Sequence, residues 1–191
     1  MTGTTTGVSW TQWTLEPIAL LAIVVVGGLY LRGGAQGSAA PDQRRRGVAL
    51  GASLVLLGIA VMSPLDVAAG RLASAHMVQH LLLGLVVAPL LAAAGAQVVK
   101  LSGPAWWRRM DVAWLANIAV LWGWHAAVPY DAALRNELVH VLQHGSWLLA
   151  GWLWWRVVLR HRTAQPGIRL LFVFTTAMAT ACPTVFGALN A

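Results

Sequence analysis

Charged residues are scarce in this chain. Asp, Glu, Lys and Arg together make up 10% of its 191 residues, and only six residues are acidic. Hydrophobic residues make up 58%, and the mean hydropathy is +0.67. Because an ordinary soluble domain carries about 25% charged residues, this composition excludes a single soluble domain. It is typical of an integral membrane protein.

Other absences narrow the function. The chain has one cysteine, Cys182, so no disulfide can form within it. It has no His-Glu-x-x-His, so an intramembrane zinc protease would lack its general base. No acidic relay of the kind that a transporter uses lies inside the apolar runs. The first apolar run follows a polar, uncharged start without a basic region, so we expect no cleavable signal peptide.

The apolar runs predict an all-α fold, a polytopic transmembrane helical bundle of about six spans. Helices are expected because backbone groups facing lipid must pair internally, and the runs lack the alternation of barrel strands. Linkers are short, so residues 1–191 are predicted to form a single transmembrane domain. The predicted spans are residues 15–32, 47–64, 72–95, 112–128, 136–157 and 168–189.

The net charge of +7 follows the predicted topology. Eleven of the thirteen basic residues fall in or beside the connections after spans one, three and five, and only Arg71 and Arg135 lie on the other side. By the positive-inside rule the N-terminus lies outside the cytoplasm, in a multi-pass protein of the bacterial plasma membrane. The basic excess therefore reflects topology and the lipid bilayer, and no nucleic-acid partner is expected. The eleven are Arg32, Arg44, Arg45, Arg46, Lys100, Arg108, Arg109, Arg156, Arg160, Arg162 and Arg169.

Two copies of one pattern, His-x-x-Gln-His, occur inside predicted spans. They are His76 to His80 in span three and His140 to His144 in span five. Histidines four apart share one helical face, and imidazoles in hydrocarbon are costly unless something binds them. A fifth histidine, His125, falls near the end of span four. All five therefore converge on the outer leaflet, which predicts a metal or haem site toward the extracytoplasmic side.

Soft donors at the same depth favour copper. Met62 closes span two, while Met178 and Cys182 lie four apart in span six. Imidazole, thioether and thiolate together prefer copper to calcium or magnesium, although each of the three can equally serve packing. Gln79 and Gln143 could orient an imidazole or simply bond a neighbouring helix. The predicted metal ligands are His76, His80, His125, His140, His144, Met62, Met178 and Cys182.

A second class of function remains open at this point. Histidines on adjacent spans can axially ligate haem b, as in a membrane cytochrome b that transfers electrons. Pairs only about 6 Å apart along each helix are too close for two stacked haems, but one haem near the outer face is compatible with the pattern. An absorption band of bound haem would distinguish this alternative from copper.

The ordered motifs resemble the polytopic CtaG family of cytochrome c oxidase assembly factors. The similarity covers roughly residues 50–190: Met62-Ser63-Pro64-Leu65-Asp66, the His76 to His80 pattern with its following leucines, Trp124-His125, Pro129-Tyr130-Asp131-Ala132-Ala133-Leu134, and the His140 to His144 pattern. The resemblance implies a seven-helix membrane protein that helps to mature a haem-copper oxidase at its copper B centre. Gln143 departs from the family pattern, where an acidic residue often precedes the last histidine. Only six spans are predicted here.

Together these observations predict a metallochaperone. Copper would bind among the histidines near the outer face and pass to an oxidase subunit, with other copper chaperones as further partners. Met178 and Cys182 would hold Cu(I) transiently. No catalytic residue is predicted, because nothing in the pattern requires turnover of a substrate, and the chain is not expected to be an enzyme.

Overall fold

The described part of the chain is helical and contains no strand. The computed structural model describes residues 13–15, 17–33, 40–95, 109–160, 167 and 170–176, of which 170–176 are also helical. The all-α prediction is therefore confirmed. The helices are α1 (Pro17–Gly33), α2 (Ala40–Met62), α3 (Pro64–Ala69), α4 (Ala73–Ala93), α5 (Met110–His125), α6 (Ala127–Arg135) and α7 (Glu137–Arg160).

Two of these helices are long and apolar enough to cross a membrane. They are Asp42–Met62, within α2, and Ala73–Ala93, which is α4. A third would be α5 and α6 taken as one span, although the two are bent by 68° at their junction. Pro17–Gly28 is apolar but shorter. The described helices thus support two or three membrane spans, and six spans with an external N-terminus stay a prediction.

Helices α2, α4 and α7 lie close to predicted spans, but two short helices were not predicted. Helix α3 begins after Ser63, whose hydroxyl accepts a hydrogen bond from the Leu65 N–H at 3.1 Å, and Pro64 occupies its first position. Helix α6 follows a break at Ala126, which is extended. Helix α5 therefore ends at His125, inside the predicted span 112–128, because the chain turns there into α6.

Helices α4 and α7 run side by side from the same end of the bundle. Their close approach depends on Gly84, because a Cβ there would lie 2.8 Å from the Trp147 ring. Gly151 similarly faces Ala88, since a Cβ at Gly151 would lie 3.2 Å from the Ala88 Cβ. Small residues at such crossings let helix backbones approach in membranes. This packing brings the two His-x-x-Gln-His segments face to face.

A π-helical segment, Leu83–Val87, interrupts α4 directly below His80. Two tryptophans of α7 bond backbone carbonyls around it: Trp147 Nε1 donates to His80 O at 3.0 Å, and Trp155 Nε1 donates to Gly84 O at 2.9 Å. These bonds satisfy carbonyl groups in the altered helix and fix the rotation of α4 against α7. π segments of this kind occur often at functional sites.

The helices enclose an apolar core and present an apolar outer surface. Leu83, Val87 and Leu121 are among the buried core residues, while Val24 and Val48 are among many large apolar side chains that are exposed. Exposed apolar side chains of this kind are expected where a helix faces lipid. Helix α4 ends at Ala93, and Gly95, two residues further on, has a φ of +62°, a left-handed conformation that glycine adopts without strain.

Candidate metal site

The four motif histidines meet between α4 and α7. The ring centroids of His76 and His80 lie 4.4 Å apart, as do those of His140 and His144. Across the two helices, His76 lies 5.8 Å from His140 and His80 lies 5.2 Å from His144. The predicted convergence of the two pairs at one depth is therefore what the structure shows.

Three of these imidazoles form a group that could hold a metal ion. One nitrogen from each of His76, His80 and His144 lies within 4.8 Å of the other two, and all three residues are buried. We call this group the three-imidazole site. Three nitrogen donors with a further open position match the ligand pattern of transition-metal sites such as those of zinc and copper.

Four of the six nitrogens of the three-imidazole site are buried and lack hydrogen-bond partners within the described part of the chain. They are His76 Nε2, both nitrogens of His80, and His144 Nε2. A buried polar atom without a partner is unfavourable by about 1–3 kcal/mol, so a bound ligand would stabilise a fold that gathers four of them at one point. The residues present thus fit a metal ion, both in donor chemistry and in unmet bonding capacity.

His140 lies at the rim of this group rather than inside it. It lines a cavity of about 410 Å³ together with His76, Asp66, Arg135 and Glu137. It also lines a smaller, mostly apolar cavity of about 120 Å³ that reaches His144. The larger cavity lies between α3 and α6 and reaches His76 of the three-imidazole site. Its two carboxylates outnumber its one arginine, Arg135, and would attract a cation.

His125 lies beside His80, at the end of α5. Its ring centroid is 5.6 Å from that of His80. Its Nδ1 lies 2.7 Å from Leu121 O, and its Nε2 lies 3.4 Å from Met77 Sδ. The fifth predicted histidine thus joins the group through His80, in contact with a methionine.

Gln79 forms hydrogen bonds to neighbouring helices and not to an imidazole. Of its two predicted roles, the structure therefore shows the bond to a neighbouring helix. Its Nε2 donates to Ala60 O in α2 at 2.7 Å and to Asp66 Oδ1 in α3 at 2.8 Å. Asp66 also accepts a bond from Thr14 Oγ1 at 3.3 Å. Burial raises the pKa of the Asp66 carboxyl above its ordinary value of 3.8, while the bond from Gln79 acts in the opposite direction.

Gln143 occupies the matching position of the second motif in a different environment. It is fully buried, yet neither Nε2 nor Oε1 has a hydrogen-bond partner among the described residues. Its backbone carbonyl accepts from the Ser146 hydroxyl at 3.0 Å, and that hydroxyl accepts from Trp124 Nε1 at 2.7 Å. The amide of Gln143 therefore neither orients an imidazole nor bonds a described helix.

The predicted sulfur ligands are not brought to the histidines by the described structure. Met62 is buried in the apolar core at the end of α2, where its backbone carbonyl accepts a bond from the Thr14 N–H. Met178 and Cys182 lie outside the described residues. A role for these three residues in metal binding stays a prediction.

Sequence reasoning missed several residues that shape the site. Met77 lies within the first motif, but a methionine on an apolar helix usually indicates packing, and only its contact with His125 marks it out. Asp66 appeared only within a motif of the resembled family, and Glu137 was not predicted to belong to the site. The bonds from Trp147 to α4 depend on helix packing, so no local signal predicted them.

Fold and site together define a class. The chain is a helical protein with membrane-spanning character, and it carries a buried, imidazole-based site that could hold a metal ion near one end of its bundle.

The comparison with protein families is consistent with this class and more specific. Residues 28–189 match the family described as cytochrome c oxidase caa3 assembly factor, Caa3_CtaG. Because the match covers most of the chain, the protein belongs to this family, and the predicted resemblance is confirmed. No curated protein and no solved structure matches the chain. Membership supports oxidase assembly, an oxidase partner and a non-catalytic role.

Proposed function

We propose that this chain binds copper at the three-imidazole site and delivers it to the copper B centre of a haem-copper oxidase. One observation carries the proposal. Buried nitrogens of His76, His80 and His144 face one another without hydrogen-bond partners among the described residues, in a member of a cytochrome c oxidase assembly family. Imidazole ligands suit copper, and copper is the metal of that oxidase centre.

The path proposed for the ion follows the larger cavity. A cation would meet Asp66 and Glu137 near the outer face, pass His140 at the rim, and bind His76 and its neighbours below. Opposite charge raises the local concentration of a cation at such a mouth. Release would follow the same path toward an oxidase subunit, with the remaining imidazoles available to exchange as ligands.

The crowding of the rings argues against the haem alternative. His80 is surrounded by His76, His125, His144 and Trp147, with ring centroids between 4.4 and 6.2 Å away. A haem iron carries a porphyrin, so the coordinating nitrogen of its axial ligand must face a wide, flat space. An isolated ion needs only the space between the nitrogens.

The first test compares the metal content and the visible spectrum of the detergent-purified full chain. We expect near-stoichiometric copper without a haem band in the wild type, and loss of that copper when His80→Ala and His144→Ala are combined, because two of the three ligands are gone. His161→Ala is the matched control, since His161 is the one histidine predicted to lie in a cytoplasmic loop. A haem band that the double substitution removes would replace this proposal by the cytochrome alternative.

The same variants test delivery in cells that lack the endogenous factor but make a caa3 oxidase. Copper per haem in the purified oxidase is expected to be restored by the wild type and by His161→Ala, and not by the double variant. If the double variant restores it fully, delivery does not depend on the three-imidazole site and the proposal is wrong.

A further inference from the structure

We propose that Met77 and His125 form a second, soft metal site for Cu(I) that shares His80 with the three-imidazole site. The inference rests on the proposed function for its cargo, but it assigns ligands, oxidation state and a place next to the first site. It follows from three observations on α4 and α5: a nitrogen–sulfur contact, the proton position on His125, and the location of His80.

The hydrogen bond of His125 fixes which of its nitrogens is free. Nδ1 lies 2.7 Å from Leu121 O, and a carbonyl oxygen can only accept, so Nδ1 carries the proton of the neutral ring. Nε2 then presents its lone pair. A second bond on the ring commonly orients a metal-binding histidine in this way, and backbone carbonyls are frequent partners.

That lone pair faces another donor atom. Nε2 of His125 lies 3.4 Å from Met77 Sδ, and with neutral imidazole no hydrogen stands between the two atoms. Metal bonds of about 2.0 Å to nitrogen and about 2.3 Å to sulfur, at a tetrahedral angle, hold such donors about 3.5 Å apart. The observed separation of 3.4 Å is therefore compatible with two ligands on one ion.

The donor pair selects the ion. Thioether sulfur is a soft ligand that favours Cu(I), while imidazole alone accepts zinc, copper and other divalent metals. Met77 is buried, so its sulfur is held within the bundle. In the second motif the matching position is Val141, which offers no donor. The soft site is thus a property of the first motif alone.

His80 lies between the two groups. Its ring centroid is 5.6 Å from His125 and 5.2 Å from His144, and both of its nitrogens lack hydrogen-bond partners among the described residues. A neutral imidazole has one free lone pair, so His80 serves one site at a time. An ion can then move between the sites by ligand exchange, without leaving the protein interior.

The test separates the two sites by metal and by residue. Full-length protein in detergent is titrated anaerobically with Cu(I) against a colorimetric chelator, and separately with Co(II), followed by its visible absorption. Met77→Leu keeps the volume and removes the sulfur. Since loss of even an indirect metal partner costs about 10–100-fold in affinity, Met77→Leu should weaken Cu(I) binding at least tenfold and leave Co(II) affinity within a factor of about two.

Two further variants complete the design. Met110→Leu, in a partly buried methionine at the far end of α5, is the matched control and should change neither affinity. His76→Ala should abolish Co(II) binding and retain Cu(I), because His76 belongs only to the three-imidazole site. Copper X-ray absorption should show a sulfur neighbour in the wild type that is lost in Met77→Leu.

Three results would overturn the inference. The first is an unchanged Cu(I) affinity in Met77→Leu, and the second is the loss of both Cu(I) and Co(II) binding in His76→Ala. The third is a sulfur neighbour of copper that persists in Met77→Leu and disappears when Met178 and Cys182 are replaced. Co(II) bound by Met77→Leu shows that the protein is folded. If Met77→Leu leaves Cu(I) affinity unchanged while Co(II) still binds, the soft site is wrong and the proposed function stands. If the wild-type protein binds neither metal, both proposals are wrong.

Discussion

The two halves of the described bundle follow one plan with different internal contacts. In each half a long helix breaks, a short helix follows, and the next helix carries His-x-x-Gln-His. The short helix contains a proline and, two residues later, an aspartate: Pro64 and Asp66 in α3, Pro129 and Asp131 in α6. The plan is shared, but the bonds made by its polar residues are not.

In the first half the polar residues bond one another. Gln79 connects α4 to Ala60 and to Asp66, which is half-buried. In the second half, Asp131 is exposed and lies 3.6 Å from Arg135, while the Gln143 amide has no partner among the described residues. Helix α4 is therefore held by side-chain bonds to its own half. Helix α7 is positioned by two of its own tryptophans, which donate to α4, and by Trp124 of α5, which donates to Ser146 in α7.

The two copies of the His-x-x-Gln-His motif therefore contribute differently to the metal site. The first motif supplies two ligands of the three-imidazole site, His76 and His80, from a helix that is fixed on two sides. The second supplies one, His144, and leaves His140 at the rim. Substitutions at matching positions of the two halves should therefore have unequal effects.

The largest difference is expected for the glutamines. Gln79→Leu removes one bond to a carbonyl and one to a carboxylate, and should destabilise the protein by about 2–4 kcal/mol. Gln143→Leu removes a buried amide that lacks partners in the described structure, and should be neutral or stabilising by up to about 2 kcal/mol. Thermal unfolding of both variants in the same detergent measures the contrast. Equal destabilisation by the two variants would contradict it.

An intermediate difference is expected for two glycines. Gly84→Ala places a methyl group 2.8 Å from the Trp147 ring, and such overpacking costs about 1–3 kcal/mol. Gly145→Ala, in α7, is the control because no atom lies within 4 Å of its Cβ position, and alanine should favour the helix by up to about 1 kcal/mol. Thermal unfolding and copper content should fall together in Gly84→Ala. Copper retention at reduced stability would show that the α4–α7 contact does not set the site.

The smallest difference is expected for the aspartates, and it depends on pH. Burial raises the pKa of the Asp66 carboxyl in the folded protein above the unfolded value of 3.8. The free energy of unfolding therefore decreases as the pH rises from 3.8 through the folded pKa, because the buried carboxyl must then lose its proton. Above the folded pKa this contribution of Asp66 no longer changes with pH. The Asp66→Asn side chain stays neutral at every pH, so this decrease in stability is absent, and its amide oxygen can still accept the hydrogen bond from Gln79. Its melting temperature should match the wild type at low pH and exceed it by a few degrees at neutral pH.

Asp131→Asn is the control for this measurement. It removes only an exposed ion pair, which is worth about 0–1 kcal/mol, so its melting temperature should follow that of the wild type at each pH. A pH-independent difference for Asp66→Asn would indicate that burial of the charge is not the cause.

The sequence predicted helix positions better than helix interruptions. Long apolar runs placed α2, α4 and α7 closely, because length and composition are local properties. The break at Ala126 and the short helices α3 and α6 depend on capping and on contacts made across the bundle. The 68° bend between α5 and α6 could not be derived from the residues that form it.

The candidate site was predictable in its residue types and not in its connections. Spacing placed five histidines at one level, and the structure brings them together. The division among them was not predictable: three imidazoles share a point, His140 lies at the rim, and His125 contacts Met77. These distinctions depend on rotamers and helix rotation, which sequence spacing does not define.

The π segment of α4 changes the direction in which the residues before it face around the helix axis. Each residue of an α-helix advances about 100° around the axis, and the wider turn at Leu83–Val87 accommodates one additional residue within nearly the same length. Deleting that residue would restore a regular helix and rotate everything above it by about a quarter of a turn relative to the apolar half below. His76, Met77 and His80 would then swing away from α7 and α5 as one unit. The π segment thus sets the direction around the helix axis in which Met77 and the two histidines of α4 face α5 and α7.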